Sequence, residues 1–250
     1  MHRFVVGFAL GDRESVQLDP SDGHHAAVVL RLKGGDQVTL LDGQGNVAAG
    51  RVTVPDRRRF EVAVEKVEFT PPRPYGLVLA AAILKGKAWD WVLQKAAELE
   101  TSILVPLVLD RCVVQVESDG AALARRCSDW QKTANEAAKQ CGSPWITQIQ
   151  KPQKLTDFLN GKVRWDVGLV ASLFPGAAEI HDVLENASNP QTVVVVVGPE
   201  GDFTPGEFSS AIEAGMVPVT LGRAVLRAET ASIVALALAG HELRRRWKAG

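Results

Sequence analysis

The N-terminal part of the chain, up to about residue 70, alternates short hydrophobic runs with polar turns. Three runs are rich in β-branched residues, at positions 28–30, 37–41 and 60–64. A glycine-rich turn beginning with Asp42-Gly43 follows the second run, and this dipeptide between hydrophobic runs indicates a β-hairpin. Several short strands of this kind predict a small barrel or curled sheet.

A proline-rich segment ends this region. Residues 70–74 include three prolines in five positions, which cannot continue a helix and favour a stiff, extended connector. We therefore expect a domain boundary here, between a first domain of residues 1–72 and a second of residues 73–250.

Beyond the connector, the hydrophobic pattern changes to strand, helix, strand. Residues 77–83 form an unbroken apolar run, as expected for a strand buried on both faces. Runs at 102–108 and 167–171 are further strand candidates, and residues 121–140 predict a helix that Gly142 ends. Another segment has apolar residues at helical spacing: Trp89, Val92, Leu93, Ala96 and Leu99. This alternation predicts a mainly parallel sheet covered by helices.

The segment from residue 193 onward has the most informative pattern. Five consecutive valines at 193–197 predict a buried strand, and a turn follows at 198–203. A strand at 217–221 and a long apolar helix over about 230–245 come later. The helix between the two strands has complete start and stop signals: Thr204 as N-cap, Pro205 at the first position, Glu207 closing a capping box, and Gly215 at the end.

Two glycine-containing loops leave the ends of these two strands, which we expect to be parallel neighbours. In open α/β sheets, ligands bind at this carboxyl edge. Gly198, Gly201 and Gly222 would let the backbone approach a ligand closely, although ordinary strand–helix turns are the alternative. Since the chain has neither a G-x-G-x-x-G nor a Walker sequence, a dinucleotide or triphosphate site is not indicated.

Length and composition fit a globular protein. A chain of 250 residues with 46% hydrophobic content allows one large or two modest domains. The longest apolar run is far shorter than the roughly 20 residues of a membrane helix, and the N-terminus is too briefly apolar for a secretory signal. The three cysteines form no CxxC motif and no Cys/His cluster. We therefore expect a cytoplasmic protein with no membrane segment, no metal site and no disulfide.

The net charge of −1 argues against a chain that binds nucleic acid through bulk positive charge. An RNA partner would have to be held by local basic patches, although on the residues alone each patch is more simply explained as a solvated surface. The candidates are Arg57-Arg58-Arg59, the group Lys85, Lys87 and Lys95, Arg125-Arg126, and Arg244-Arg245-Arg246.

Two blocks near the C-terminus carry a recognisable pattern. They are Gly198-Pro199-Glu200-Gly201 followed by Glu207, and Leu221-Gly222-x-x-x-Leu226-Arg227-x-Glu229-Thr230-Ala231. The blocks and their spacing resemble the cofactor site of the SPOUT-class RNA methyltransferases, and within them the ribosomal RNA small subunit methyltransferase E family. Shorter matches follow the same order elsewhere: His25-x-x-x-Val29-Leu30-Arg31, Lys85-Gly86-Lys87 with Gln94-Lys95, and Trp130-Gln131-Lys132 with Glu136 and Gln140.

The resemblance implies a PUA-like β-barrel RNA-binding domain followed by an α/β SPOUT domain. The latter would have a parallel sheet, helices on both faces and a C-terminal trefoil knot. The resemblance also implies a homodimer that transfers a methyl group from S-adenosylmethionine to N3 of a uridine in 16S ribosomal RNA, either as naked rRNA or in the small ribosomal subunit.

The same resemblance implies site residues. Three loops of the knot would hold the cofactor, through Leu169, Leu173, Gly198, Pro199, Glu200, Gly201, Leu221, Gly222, Leu226, Thr230 and Ala231. RNA contacts would come from Arg3, His25, Arg31, Lys85 and Lys95.

Candidate catalytic residues follow from the chemistry of the implied reaction. Uridine N3 carries a proton, so a base or a stabiliser of negative charge must make it nucleophilic. Glu200 and Glu229 are candidate bases, and Arg227 would stabilise charge on the uracil carbonyl oxygens. Structural alternatives stay open: Glu229 as a helix cap, Glu200 as an acceptor of N–H groups in its own turn, and Arg227 as a phosphate ligand.

Three positions depart from the resembled pattern. Glu100 and Asp202 stand where the family usually has glycine, and the segment Cys141-Gly142-Ser143-Pro144 lacks a common arginine. Other functions also stay open: a SPOUT methyltransferase acting on another RNA or base, a non-catalytic RNA-binding ribosome-assembly factor, and an unrelated α/β metabolic enzyme.

Overall fold

The computed structural model describes residues 2–114, 120–161 and 163–247. The chain forms two compact units, one of Met1–Pro72 with Asn135–Ile146 and one of Arg73–Ala134 with Thr147–Gly250. Within the described ranges, no helix is both long enough and apolar enough to cross a membrane.

A five-stranded sheet dominates the first unit. Its strands are β1 (His2–Val5), β2 (Ser15–Gln17), β3 (Gln37–Leu41), β4 (Asn46–Pro55) and β5 (Phe60–Phe69). They lie in the order β1-β3-β4-β5-β2, with β1 and β3 parallel and the other pairs antiparallel. The β3–β4 pair confirms the hairpin predicted at Asp42-Gly43. Phe4, Leu40 and Phe60 are fully buried in the core of this unit.

The strand predicted at residues 28–30 is wrong. The chain there forms a short helix α1 (Pro20–His24) that continues as a π-helix (His25–Val29). The carboxylate of Asp19 caps α1 by accepting two backbone N–H groups, at 2.8 and 2.9 Å. This helix-start signal outweighs the strand preference of the two adjacent valines, whose side chains are exposed.

A buried carboxylate organises the hairpin turn. Asp42 is only 6% exposed. Its oxygens accept backbone N–H groups from Leu10 (3.2 Å), Gln44 (2.8 Å) and Asn46 (3.0 Å), and the side-chain amide of Asn46 (2.6 Å). Burial alone would raise the pKa of Asp42, but the four hydrogen bonds outweigh it and lower that pKa below its ordinary value.

The first unit includes a segment from far along the chain, Asn135–Ile146. The guanidinium of Arg3 donates to the carbonyl oxygens of Lys139 (3.1 Å) and Gln140 (3.0 Å). The amino group of Lys139 binds the carboxylate of Asp22 at 3.0 Å. The N-terminal sheet and this later segment therefore belong to one packed body.

An eight-stranded sheet forms the centre of the second unit. Seven strands lie in the order β11-β13-β10-β12-β6-β7-β8, β9 pairs with β7, and every pair is parallel. The strands are β6 (Gly76–Ala82), β7 (Ile103–Val108), β8 (Gln148–Ile149), β9 (Gln153–Lys154), β10 (Val167–Ala171), β11 (Ala178–Glu179), β12 (Thr192–Val197) and β13 (Val217–Thr220).

Helices cover both faces of this sheet, as predicted. They are α2 (Lys87–Glu98), α3 (Gly120–Cys141), α4 (Leu155–Leu159), α5 (Ile180–Asn186), α6 (Pro205–Glu213) and α7 (Ala228–Trp247). In β12, Val193, Val195 and Val197 pack with residues of α2, α5 and α7. Val194 and Val196 pack on the other face with residues of α4 and α6. Burial on both faces explains the unbroken valine run.

The start of α6 confirms the predicted capping box. Thr204 Oγ1 accepts the Glu207 N–H at 3.3 Å, and Glu207 Oε2 accepts the Thr204 N–H at 2.8 Å. The last helix begins at Ala228 rather than at residue 230.

The expectation that β12 and β13 are neighbours is wrong. Both are parallel strands of the sheet, but β10 lies between them and pairs with each. The order of strands depends on where a crossover helix returns the chain, and hydrophobic patterns do not encode it. As a result, the loop after β10 lies between the two glycine-containing loops.

We expect Asp42→Asn to lower the free energy of unfolding by roughly 2–4 kcal/mol at pH 7, because an amide cannot accept all four hydrogen bonds. The pKa of Asp42 is lowered in the folded state, so its stabilisation is present above the ordinary value of 3.8 and is lost as the pH falls through the folded value. The difference between variant and wild type should therefore shrink in urea denaturation below that pH.

Glu65→Gln is the control. The exposed carboxylate of Glu65 pairs with Arg51 at 2.8 Å, and such a surface pair contributes about 1 kcal/mol or less. Equal unfolding midpoints for Asp42→Asn and Glu65→Gln would show that the Asp42 network does not stabilise the turn.

Candidate functional site

A cavity of about 580 Å³ lies in the second unit, where β10, β12 and β13 end. Three loops line it, and each leaves the carboxyl end of one of these strands. The lining residues are Ala171, Ser172, Leu173, Phe174, Val197, Gly198, Pro199, Glu200, Asp202, Thr220, Leu221, Gly222, Arg223, Ala224, Val225, Leu226, Arg227, Ala228 and Ala231. The cavity therefore occupies the edge of a parallel sheet at which ligands bind in open α/β folds.

The first loop follows β10 and gives the cavity an apolar rim. The backbone N–H of Ser172 donates to the carbonyl of Val219 in β13 at 3.0 Å, which ties the loop to the sheet. Beyond that bond, Leu173 and Phe174 are 60% and 57% exposed. Large apolar side chains at a cavity mouth are typical of a ligand or protein contact surface.

The second loop is a tight turn after β12. The N–H of Asp202 donates to the carbonyl of Pro199 at 3.0 Å. Asp202 has a φ of 60°, and its own carboxylate accepts the N–H of Phe203 at 2.8 Å. A Cβ on Gly198 would lie 3.0 Å from the ring of Phe203. A Cβ at position 198 would therefore require the Phe203 ring to shift by a few tenths of an ångström, and the turn holds Asp202 in a left-handed conformation.

The third loop joins β13 to α7. Gly222 has a φ of 118°, and its N–H donates to Thr220 Oγ1 at 3.2 Å. The loop ends where the N–H of Ala231 donates to the carbonyl of Arg227 at 2.8 Å, which begins the helical bonding of α7. Between these points Val225 is 76% exposed, so this loop adds a third apolar side chain to the rim.

Charges of both signs surround the cavity. Glu200 and Asp202 contribute carboxylates from the second loop, and Arg223 and Arg227 contribute guanidinium groups from the third. All four residues are exposed. The cavity therefore combines apolar walls, backbone groups of close-packed loops and both signs of charge, which suits an organic ligand that carries charged groups.

The structure brings most of the predicted cofactor residues together. The predicted residues that line the cavity are Leu173, Gly198, Pro199, Glu200, Leu221, Gly222, Leu226 and Ala231. Leu169 instead lies in the buried core of β10. Gly201 and Thr230 are adjacent in sequence to lining residues but do not themselves line the cavity.

Of the three candidate catalytic residues, two line the cavity and one does not. Glu200 and Arg227 line the cavity, whereas Glu229 does not. Glu229 lies in the first turn of α7, inside the helix rather than at the N-cap. Across the described residues, no hydrogen bond to the Glu200 carboxylate is found, and the carboxylate of Asp202 is the one that accepts an N–H in this turn.

None of the predicted RNA-binding residues lines this cavity. Arg3 and His25 line a second cavity, of about 560 Å³, in the first unit. Arg31 and Lys85 are exposed, and Lys95 pairs with Glu98 at 2.7 Å on the surface of α2.

Lys139 lies beside Arg3 and His25 in the second cavity. Burial lowers the pKa of Lys139, but hydrogen bonds from its amino group to the carboxylates of Glu136 and Asp22 outweigh this effect and raise that pKa. The amino group is therefore charged at neutral pH, with two carboxylates against it.

Several lining residues were not predicted. Asp202 lines the cavity at a position where the resembled pattern usually has glycine, and Arg223 lines it from within the third-loop block, at a position that the pattern leaves open. Phe174 follows directly on the predicted first loop, so extending that loop by one residue would have found it. Both glycine departures, Glu100 and Asp202, have positive φ, of 62° and 60°, and glycine adopts this conformation without steric cost.

A metal centre has no support in the part of the chain that the structure describes. There, no group of three or more His, Cys, Asp or Glu side chains is placed to hold an ion. The three cysteines are free thiols.

Comparison with known families matches both parts of the chain. A family model described as an RNA methyltransferase domain matches residues 71–240. A second, described as an RNA methyltransferase PUA domain, matches residues 18–65.

Individual relatives agree with these matches. Ribosomal RNA small subunit methyltransferase E of Mycobacterium bovis is 30% identical over 93% of this chain and 88% of its own length. The protein of the same name from Synechocystis is 28% identical over 94% of this chain and 76% of its own. A crystal structure of ribosomal RNA small subunit methyltransferase E from Neisseria gonorrhoeae bound to S-adenosyl methionine has a TM-score of 0.83 and 30% identity, and the match covers 95% of each chain.

We expect Gly222→Ala to lower the free energy of unfolding by about 1–3 kcal/mol, because any side chain is strained at its φ of 118°. Gly206→Ala in α6 is the matched control. Neither glycine has a heavy atom within 4 Å of its would-be Cβ, but Gly206 has no positive φ. The control should be neutral or stabilising by about 0.5–1 kcal/mol. Thermal unfolding of both variants measures the difference, and equal shifts would contradict the backbone argument.

Proposed function

This chain belongs to the RNA methyltransferase family, and we propose that it methylates N3 of a specific uridine in 16S ribosomal RNA, in the cytoplasm, with S-adenosylmethionine as methyl donor. The observation that carries the proposal is the cavity built from the two sequence blocks that include Gly198 and Gly222. Two relatives named ribosomal RNA small subunit methyltransferase E support ribosomal RNA as the class of substrate. A third protein of that name has S-adenosyl methionine bound. The uridine and its N3 atom come from the resemblance of the sequence to that family.

The residues present fit S-adenosylmethionine. The volume of about 580 Å³ is within the range of roughly 300–1,000 Å³ for small-molecule sites. The cofactor has an adenine ring with apolar faces, a positively charged sulfur, and an amino acid group with one positive and one negative charge. We assign Leu173, Leu221 and Leu226 to the apolar contacts, and the loop backbone near Gly198 and Gly222 to its polar groups.

When bound, S-adenosylmethionine supplies a methyl group on a cationic sulfur. The residues of the site have to hold the base in line with that methyl group and exclude water. Arg227 is placed on the cavity wall, where its guanidinium would stabilise negative charge on a uracil carbonyl oxygen as N3 loses its proton.

We propose Glu200 as the base that accepts the N3 proton. It lines the cavity, and among the described residues its carboxylate makes no competing hydrogen bond. Glu229 is the second candidate; it lies in the first turn of α7 and is not among the residues that line the cavity.

We propose that the RNA is held by local contacts rather than by net charge. Arg3, His25 and Arg31 would bind it in the first unit, within a PUA-like domain of residues 1–72. Lys85 and Lys95 would contact RNA from the second domain, residues 73–250. Lys85 lies just before α2 and is exposed, which leaves its amino group accessible to a phosphate.

Two further features of the resemblance are also proposals. We propose a C-terminal trefoil knot from the resemblance alone, since the strand order β12-β10-β13 makes the chain pass β10 again, as it also does in unknotted doubly wound sheets. The exposed apolar rim, Leu173, Phe174 and Val225, supports a homodimer in which a second copy covers this surface.

The test is methylation of small ribosomal subunits from cells that lack this enzyme, with naked rRNA in parallel and the labelled nucleotide mapped. We expect label from S-adenosylmethionine at N3 of one uridine. Label on another base or RNA would indicate a different methyltransferase of the same class. An absence of both label and cofactor binding would favour a non-catalytic RNA-binding factor, and RNA-independent turnover would indicate a metabolic enzyme.

We expect Arg227→Ala to lower kcat on the order of 100-fold, the size of effect found when a stabiliser of transition-state charge is removed. The Kd for S-adenosylmethionine should change by less than about threefold, since the guanidinium acts on the base. Arg164→Ala, which removes an exposed arginine outside the cavity, is the control. Full turnover by Arg227→Ala would eliminate its catalytic role.

A further inference from the structure

An arginine outside the cavity holds the second loop. Arg111 follows β7, and its Nη1 atom donates to the carbonyl oxygens of Gly201 at 2.8 Å and Phe203 at 3.2 Å. A Cβ on Gly201 would lie 3.2 Å from Cβ of Arg111, so the arginine lies flat against the loop. Arg111 is not among the residues that line the cavity.

A second contact fastens the same two segments. The N–H of Asp110 donates to Glu207 Oε1 at 2.9 Å. The other oxygen of Glu207 accepts the N–H of Thr204 at 2.8 Å in the capping box. The turn at 199–203 is thus held from outside at its carbonyl groups, and the helix that follows it is tied to the residue before Arg111.

The two carbonyls that bind Arg111 flank a strained residue. Asp202 has a φ of 60°, a left-handed conformation that costs energy for residues with a Cβ, although Asp tolerates it better than most through a local hydrogen bond such as that from the Phe203 N–H. Hydrogen bonds from a guanidinium are charge-assisted and stronger than neutral ones. Arg111 therefore holds the Gly201–Asp202 peptide group, whose orientation this φ sets, and the Phe203–Thr204 peptide group at the end of the turn.

We propose that Arg111 is a positioning residue for methyl transfer. It keeps the turn in the conformation that places Glu200 and Asp202 on the cavity wall. The proposal rests on the proposed function in that the cavity is taken as the cofactor site. Without Arg111 the turn populates other conformations, and cofactor binding has to select the competent one.

If Arg111 only stabilised the fold, its removal would affect the unfolding temperature alone, whereas a positioning role predicts an effect on the cavity as well. Arg246 offers a matched comparison, because it also donates to two backbone carbonyls, of Ala187 at 2.7 Å and Glu185 at 2.6 Å, at the end of α5. Arg111→Ala and Arg246→Ala each remove two bonds of the same type, and Arg246 does not line the cavity. Both variants should have a lower unfolding temperature than the wild type, and only Arg111→Ala should change the conformation of the turn that lines the cavity.

Hydrogen exchange in the ligand-free protein tests the contact itself. The N–H groups of Asp202 and Phe203 are bonded within the turn, so we expect their exchange to be about tenfold faster in Arg111→Ala and unchanged in Arg246→Ala. Unchanged exchange in Arg111→Ala would overturn the proposal. This measurement needs no cofactor, so it decides the proposal even if the wild type binds no S-adenosylmethionine, a result that would overturn the proposed function instead.

Calorimetry and steady-state kinetics with S-adenosylmethionine test the consequence. If the turn of Arg111→Ala is in the binding-competent conformation in a tenth of the molecules, the apparent Kd for the cofactor rises about tenfold. Saturating cofactor then restores kcat to within about threefold of the wild-type value. Arg111→Lys should recover part of the affinity. An Arg111→Ala variant with wild-type Kd, or one with a lower kcat and no change in Kd, would contradict the positioning role.

The strain argument is tested in an Asp202→Gly background. Glycine adopts positive φ without steric cost, so the turn should need Arg111 less. The loss of affinity caused by Arg111→Ala should fall from about tenfold to about threefold or less when position 202 is glycine. An equal loss in both backgrounds would show that Arg111 does not act by holding Asp202.

Discussion

Parallel pairing is the constraint on which the second unit depends. Every strand pair of its sheet is parallel, so all strands begin at one edge of the sheet and end at the opposite edge. The loops that follow the strands therefore lie together at the edge where the strands end. The loops after β10, β12 and β13 meet at that edge although they are distant in sequence, and together they enclose the cavity. The unbroken valine run of β12 follows from the same constraint, since the helices of the crossovers cover both faces.

The parts of the fold that could be predicted from the sequence are those with local causes. The capping box of Thr204 and Glu207 and the valine run of β12 each depend on interactions within a few residues or on burial that the pattern reveals directly. The strand predicted at residues 28–30 failed because a nearby cap at Asp19 favours a helix, and three β-branched or apolar residues are too short a signal to oppose it. The place of β10 between β12 and β13 was not predictable because strand order is set by packing across the whole sheet.

The candidate site likewise contains residues that could be predicted from the sequence and residues that could not. Residues in the two blocks, such as Gly198 and Gly222, were found because their sequence resembles a known site. Arg111 was not found, since its bond to the loop joins residues 90 positions apart and an arginine after a strand carries no special signal. At position 202, glycine would adopt this positive φ without steric cost, whereas aspartate adopts it at some cost, which on our proposal the contacts of Arg111 offset.

The inclusion of Asn135–Ile146 in the first unit has a consequence for biosynthesis. A chain emerges from the ribosome from its N-terminus, so the strands β1 to β5 are available long before the segment that contains Lys139. During that interval Asp22 lacks its ammonium partner and the guanidinium of Arg3 lacks both of its carbonyl acceptors. Strands β6 and β7 of the other sheet are synthesised within the same interval. The order of translation therefore differs from the order in space, and the N-terminal unit reaches its full set of contacts only after part of the second sheet has already been made.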